Sequence, residues 1–181
     1  MPDRVIRQSS RSPEKGPRVE DDTWRTLGVD PAEDLANLPT GPIIVALALW
    51  QARKAELLAR GEPLGVWLKP DDEPEAIADD FASFQVVAVH FPKFGDGRGF
   101  STAALLRTRY GYRGELRAFG DIGRDHLFFL ARVGFDSFRL PAQRDPQDAL
   151  LGLKDFTLRY QGSVDDPLPL FRKRAAAGAL R

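Results

Sequence analysis

Short apolar runs alternate along the chain with stretches whose apolar residues recur at helical spacing, and this alternation predicts the elements. Pro42-Ile-Ile-Val-Ala-Leu47 reads as a buried strand, and residues 48–60 follow as a helix stopped at Gly61, where a left-handed cap is favoured. Leu64-Gly-Val-Trp-Leu68 is a second strand, broken by Lys69-Pro70. Asp72 or Glu73 before Pro74 then opens a helix over 75–84. Gln85-Val-Val-Ala-Val-His-Phe91 is the clearest strand, ended by Pro92. Ser101 follows as an N-cap for a helix over 102–110, which Gly111 stops. Strand 115–119, the turn Gly120-Asp-Ile-Gly123, helix 124–133 with Gly134, strand 135–140 and a helix from Asp145-Pro146 to about 154 complete the series. Phe156, Leu158 and Tyr160 alternate as an edge strand would.

Five strands separated by helices predict an α/β fold with a parallel sheet, because each return to the same strand direction needs a crossover. The expected form is a five-stranded, Rossmann-like three-layer sandwich with helices on both faces. A partial βα barrel is the alternative closure. No repeat of fixed period is visible.

Composition narrows the function. The 181 residues carry 26 basic and 26 acidic side chains, and this zero net charge argues against a general nucleic-acid partner. There is no cysteine, so thiolate chemistry, disulfides and iron–sulfur ligation are excluded, and with only two histidines no metal site is expected. Residues 1–25 mix Ser, Pro, Arg, Lys and Asp with few apolar positions and are expected to be a disordered arm. Residues 26–170 form the single α/β domain, and 171–181 a frayed basic tail. The start lacks the apolar run of a signal peptide and the longest apolar stretch, 42–50, is too short to span a bilayer. A cytoplasmic protein with no membrane partner is the expectation.

Candidate chemistry concentrates after the third strand. Lys93, Asp96, Gly97, Arg98, Gly99 and Ser101 stand at a helix entrance, where free backbone N–H groups and the helix dipole favour an anion. Arg98 would act as a bidentate donor and Lys93 as a point charge. The same residues fit a tight turn that uses glycine for positive φ, with Arg98 paired to Asp96 or solvated. The next loop adds Arg117, Gly120, Asp121 and Arg124. There Asp121 reads as a general base or hydrogen-bond acceptor, or else as a helix cap, and Arg117 as a partner of Glu115 or Asp125 on exposed surface. No catalytic residue is established; the candidates are Asp121 and His90, the latter on the apolar third strand, where a histidine is more often a satisfied core residue than a catalyst. His126 follows Asp125 in a first helical turn. Gly97 and Gly99 do not make a dinucleotide fingerprint, because Thr102 stands where its third glycine belongs. No cofactor is evident. The acidic run from Asp71 to Asp80 reads as a solvated helix start, or as a docking face for a basic partner. Trp50 and Trp67 fit a core.

Five motifs occur in one order: Asp72-Glu-Pro-Glu-Ala-Ile-Ala-Asp-Asp80, Phe91-Pro-Lys-Phe-Gly-Asp-Gly-Arg-Gly-Phe-Ser101, Tyr110-Gly-Tyr-Arg-Gly-Glu-Leu-Arg-Ala-Phe-Gly-Asp121, Gly134-Phe-Asp136 and Tyr160-Gln161. Together they resemble the bacterial domain of unknown function 934 family over about residues 38–174. The matching positions include Lys93, Asp96, Gly97, Arg98, Gly99, Arg117, Gly120, Asp121 and Gln161, while His126 replaces a frequent Gln and the arm before Trp24 is peculiar to this chain. The resemblance implies an accessory role in assimilatory sulfate and sulfite reduction. A small oxyanion or adenylylated sulfur compound would be the ligand, and sulfite reductase or adenylyl-sulfate reductase the partner. It equally admits an oxidoreductase subunit holding a flavin or nicotinamide, or a non-catalytic docking module. It carries over no catalytic residue.

Overall fold

The computed structural model describes residues 3–8, 16–30, 35–156 and 159–178. Within these, strands β1 (Arg4–Arg7), β2 (Arg18–Asp21), β3 (Arg25–Thr26), β4 (Ile43–Ala46), β5 (Leu64–Leu68), β6 (Val86–Phe91), β7 (Glu115–Gly120) and β8 (Ser137–Arg139) join one sheet. All five predicted apolar runs are strands, but the sheet is neither five-stranded nor purely parallel. Its order is β2-β1-β8-β7-β6-β5-β4-β3, with β3 through β8 parallel and β1 antiparallel to both β2 and β8.

That order corrects the expected sandwich. A doubly wound sheet needs a point where strand order reverses, and β3 to β8 run past without one, so successive right-handed crossovers deliver their helices to one face. The helices are α1 (Leu47–Ala59), α2 (Arg98–Thr108), α3 (Arg124–Arg132) and α4 (Pro146–Leu151), followed by α5 (Leu170–Gly178). Trp50 of α1, Leu106 of α2, Leu130 of α3 and Ala149 of α4 share one cluster with Val66, Val87 and Leu116 of the strands. Alternate strand residues Ile44, Ala46, Trp67, Val86, Ala88 and Phe119 form a second cluster on the other face. The sheet curls into a half-barrel, closer to the alternative closure than to the sandwich.

The stretch expected to be a loose arm supplies three strands of this sheet. Val5 and Ile6 are fully buried, and Asp22 lies beneath the concave face. Two apolar residues between arginines are too few to register in a composition average, yet they suffice once β8 offers an unpaired edge. Residues 1–2 and 9–15 of that stretch lie outside the described residues. The basic tail is helical over Leu170–Gly178, with 179–181 outside the description. The suggested edge strand is not formed by Phe156 or Tyr160, and Leu158 falls outside the described residues. The helix predicted over 75–84 is a 3₁₀ helix over Pro74–Ser83; Asp80 there accepts from Trp50 Nε1 at 3.0 Å and Lys54 Nζ at 2.6 Å, tying the acidic run to α1. No helix among the described residues is long and apolar enough to cross a membrane.

Strand register stacks the concave side chains in layers. One layer runs Trp67, Ala88, Arg117, Ser137, Arg7 across five strands. Arg117 is 1% exposed, and its Nη1 donates to both carboxylate oxygens of Asp22, at 3.0 and 2.9 Å. Its Nη2 and Nε donate to Glu115 Oε1 at 2.9 and 3.1 Å, Ser137 Oγ donates to the same oxygen at 2.6 Å, and Arg7 pairs with Glu115. Of the two predicted alternatives the Arg117–Glu115 pair forms, buried rather than on exposed surface, and Asp22 joins it as a further partner.

Removing one member of a buried ion pair strands the other, so Asp22→Ala is expected to lower unfolding free energy by about 3–5 kcal/mol in urea titrations. Burial pushes Glu115 up, but Arg117 and Arg7, with hydrogen bonds from Ser137 and Arg7, outweigh it and hold the carboxyl below its ordinary 4.5. A depressed carboxylate stabilises the fold above its unfolded pKa and loses that contribution as pH falls. Stability should therefore drop below about pH 4.5 more steeply in the native chain than in Glu115→Gln, as measured by thermal melts across pH 6 to 3.

Candidate functional site

The next concave layer toward the carboxyl ends of the strands is His90, Phe119 and Arg139, again adjacent through register. Above it opens a cleft of about 760 Å³. Thr26, Gly120 and Asp121 line it from strand ends, Asp3 and Arg4 from the amino-terminal hairpin, and residues 140–144 from the loop between β8 and α4. Loops at this end of parallel strands are where such folds build sites, because the backbone there is released from the ladder while its anchors stay rigid.

His90 is half-buried, its ring stacked on Phe119 at 4.8 Å and meeting the edge of Trp67 at 5.6 Å. Burial, reinforced by the positive charge of Lys69, lowers its pKa, so the imidazole is neutral at pH 7. Arg139 Nη1 donates to Thr26 Oγ1 at 3.1 Å and Nη2 to Asp3 Oδ2 at 2.6 Å. Arg144 Nη2 donates to Asp121 Oδ1 at 3.2 Å, while the other oxygen of Asp121 accepts from the Phe94 amide at 3.1 Å. Gly120 has φ +107°, and a Cβ there would lie 2.3 Å from the Phe91 carbonyl oxygen. Only glycine lets β7 leave the sheet at this point and bring Asp121 round to the cleft.

Of the residues singled out in the sequence, His90, Gly120 and Asp121 meet at this cleft; Lys93, Asp96, Gly97, Arg98, Gly99, Ser101, Arg117 and Arg124 are not among its lining. Arg98 Nε and Nη2 grip the two Asp96 oxygens at 2.9 and 2.7 Å, a further ion pair reaches Asp71, and the Arg98 amide donates to Asp96 at 3.2 Å. The charge at this helix mouth is thus the chain's own carboxylate, held down to about 2 chiefly by hydrogen bonding to Arg98, with Lys93 adding its field. None of its glycines has positive φ: Gly95 and Gly97 face open space, and Gly99 is required because a Cβ would strike the Phe91 ring at 2.5 Å. Ser101 lies inside α2, whose N-cap is Gly97. Arg124 turns to Asp148 and Asp155, each at 3.2 Å. Asp121 does not cap α3; that helix has Gly123 at its N-cap, and His126 Nδ1 accepts from the Gly123 amide at 3.1 Å. Sequence reading missed Arg4, Thr26, Arg139 and Arg144. The available signal was two arginines flanking Leu-Pro-Ala-Gln directly after the fifth apolar run, in a loop position equivalent to the two that were weighed.

Among the described residues no group of three His, Asp or Glu side chains is placed to hold a metal ion. A mostly parallel sheet curled to half a barrel, helices on its outer face and a charged cleft at the carboxyl end of its parallel strands define the class of this protein. The chain belongs to the family described as "Bacterial protein of unknown function (DUF934)", which matches residues 65–171. No curated protein matches the chain. The match takes in the cleft from His90 to Pro146, whereas Asp3, Arg4, Thr26 and Val29 come from the segment before it.

Gly120→Ala is expected to cost about 2 kcal/mol or more, since the added methyl combines a disfavoured φ with overlap of the Phe91 carbonyl. Chemical denaturation against Gly97→Ala, which meets open space, measures the difference.

Proposed function

We propose that this chain is a cytoplasmic accessory protein of assimilatory sulfate and sulfite reduction that binds a small oxyanion or an adenylylated sulfur compound in the cleft at Arg139 and Arg144. The observation that carries the anion reading is that both guanidinium groups line one hollow, each holding a carboxylate of the chain itself, Asp3 on Arg139 and Asp121 on Arg144. A planar fork that accepts an aspartate accepts a sulfur or phosphorus oxyanion by the same donor geometry. The anion seat therefore moves from Lys93 and Arg98, where Asp96 and Asp71 already occupy the fork, to the strand tips two loops further on. The place in sulfur assimilation comes from the family likeness, and docking on sulfite reductase is its corollary. His90 and Asp121, in the same cleft, are the proton-handling groups a bound ligand would meet.

In thermal-shift and calorimetric titrations with sulfite, sulfate and adenylyl sulfate, at least one is expected to raise the melting temperature. Arg139→Ala or Arg144→Ala should weaken that ligand by about tenfold or more, the worth of a charged hydrogen bond. Absence of any shift at millimolar concentrations, together with no retention on immobilised sulfite reductase, overturns the reading.

A further inference from the structure

We propose that the cleft takes an organic anion with a flat heteroaromatic body, of about the size of a nucleoside monophosphate, with its acid group on Arg139 and Arg144 and its ring laid against His90. This rests on the reading of the cleft as an anion site and narrows the ligand within it.

Volume is the first argument. The hollow of about 760 Å³ falls in the range that holds drug-sized molecules, roughly 300–1,000 Å³, whereas a bare tetrahedral anion would leave most of it to water. Its lining is the second argument. Beside the arginines stand Val29, Phe119, Leu140, Pro141 and Pro146, which have nothing to offer an inorganic oxyanion but suit the faces of an unsaturated ring. Such a mixture of apolar wall and few convergent charges orients an amphiphilic ligand by its acid end.

The third argument is the aromatic stack. Phe119 and His90 lie nearly parallel, with 27° between their planes, and Trp67 closes the inner edge at 73°. Phe119 is buried while His90 is half-exposed and lines the cleft, so the imidazole is the more accessible ring of the stack. No described residue hydrogen-bonds its ring nitrogens. A neutral imidazole in this position presents both a π-face and, at its rim, one donor and one acceptor, the pattern that ring heteroatoms of a base complement. The chain's carboxylates mark where the acid group goes: ligand oxygens replace Asp3 on Arg139 and Asp121 on Arg144, and Asp121 keeps its bond from the Phe94 amide.

The test is calorimetric titration of the full chain with AMP, with nicotinate as a heteroaromatic carboxylate, and with inorganic phosphate, followed in parallel by tryptophan fluorescence. AMP or nicotinate should bind about tenfold or more tightly than phosphate, and which of the two does so identifies the source of the acid group. His90→Ala should erase that preference, since stacking on one aromatic side chain contributes on this scale. His90→Phe should retain most of it, with melting curves confirming that both variants are folded. Arg139→Ala should weaken every anion alike. Phosphate binding as tightly as both organic anions overturns this inference and leaves the anion site standing. No binding by any of the three overturns this inference, and the anion site falls with it only if sulfite, sulfate and adenylyl sulfate are silent as well. A preference unchanged in folded His90→Ala overturns the placement of the ring.

Discussion

Arg117 carries a full positive charge on the concave face of the sheet with almost no access to water, and the surrounding structure is what such a charge requires. An isolated buried guanidinium is untenable, so Asp22 and Glu115 must approach it, and both do so through more than one hydrogen bond. Asp22 lies far back in the chain, just past β2. Bringing it to Arg117 ties the end of the amino-terminal hairpin to the concave face, and the pair between Arg7 and Glu115 secures the same segment at a second point. A stretch that looks too polar to fold is thus ordered by charge as much as by the two apolar residues it buries.

The layers of the concave face divide the labour. In the lower one, Arg117 and Ser137 satisfy one another through Glu115 and are sealed from solvent. In the upper one, period-two alternation puts His90, Phe119 and Arg139 one step nearer the strand ends, where the ladder stops and loops diverge. The same pleat that buries one set of polar groups leaves the next set facing a hollow. Because the strands run in sequence without a reversal, the crossover helices α1 to α4 pack on the outer face, and the strand tips of the inner one open on the cleft.

Charge pairing also sets the glycine-rich loop after β6 apart from that hollow. Asp96 is close enough in sequence to satisfy both the Arg98 side chain and its backbone amide, so the helix mouth is neutralised locally. Arg139 and Arg144 have their acidic partners on other elements, Asp3 of the hairpin and Asp121 after β7. Partners that belong to different segments can be exchanged for a ligand without unravelling the turn that holds the arginine. That difference is what favours Arg139 and Arg144 over Arg98 in the proposed reading, although the residue types are the same.

The five apolar runs, the helices between them and the glycine stops at Gly61, Gly111 and Gly134 were legible in the sequence, since each depends on local periodicity or on a φ that only glycine adopts readily. Gly120 and Asp121 were legible as a turn at a strand end for the same reason. Residues 3–8 and 16–26 were not, because their order comes from Arg117 and Glu115 about a hundred positions away. Whether the sheet winds both ways or one way was equally invisible, as strand order leaves no trace in spacing. The pairing of arginines followed suit: Arg98 and Arg144 look alike in a string of letters, and only the folded chain decides which carboxylate each one meets.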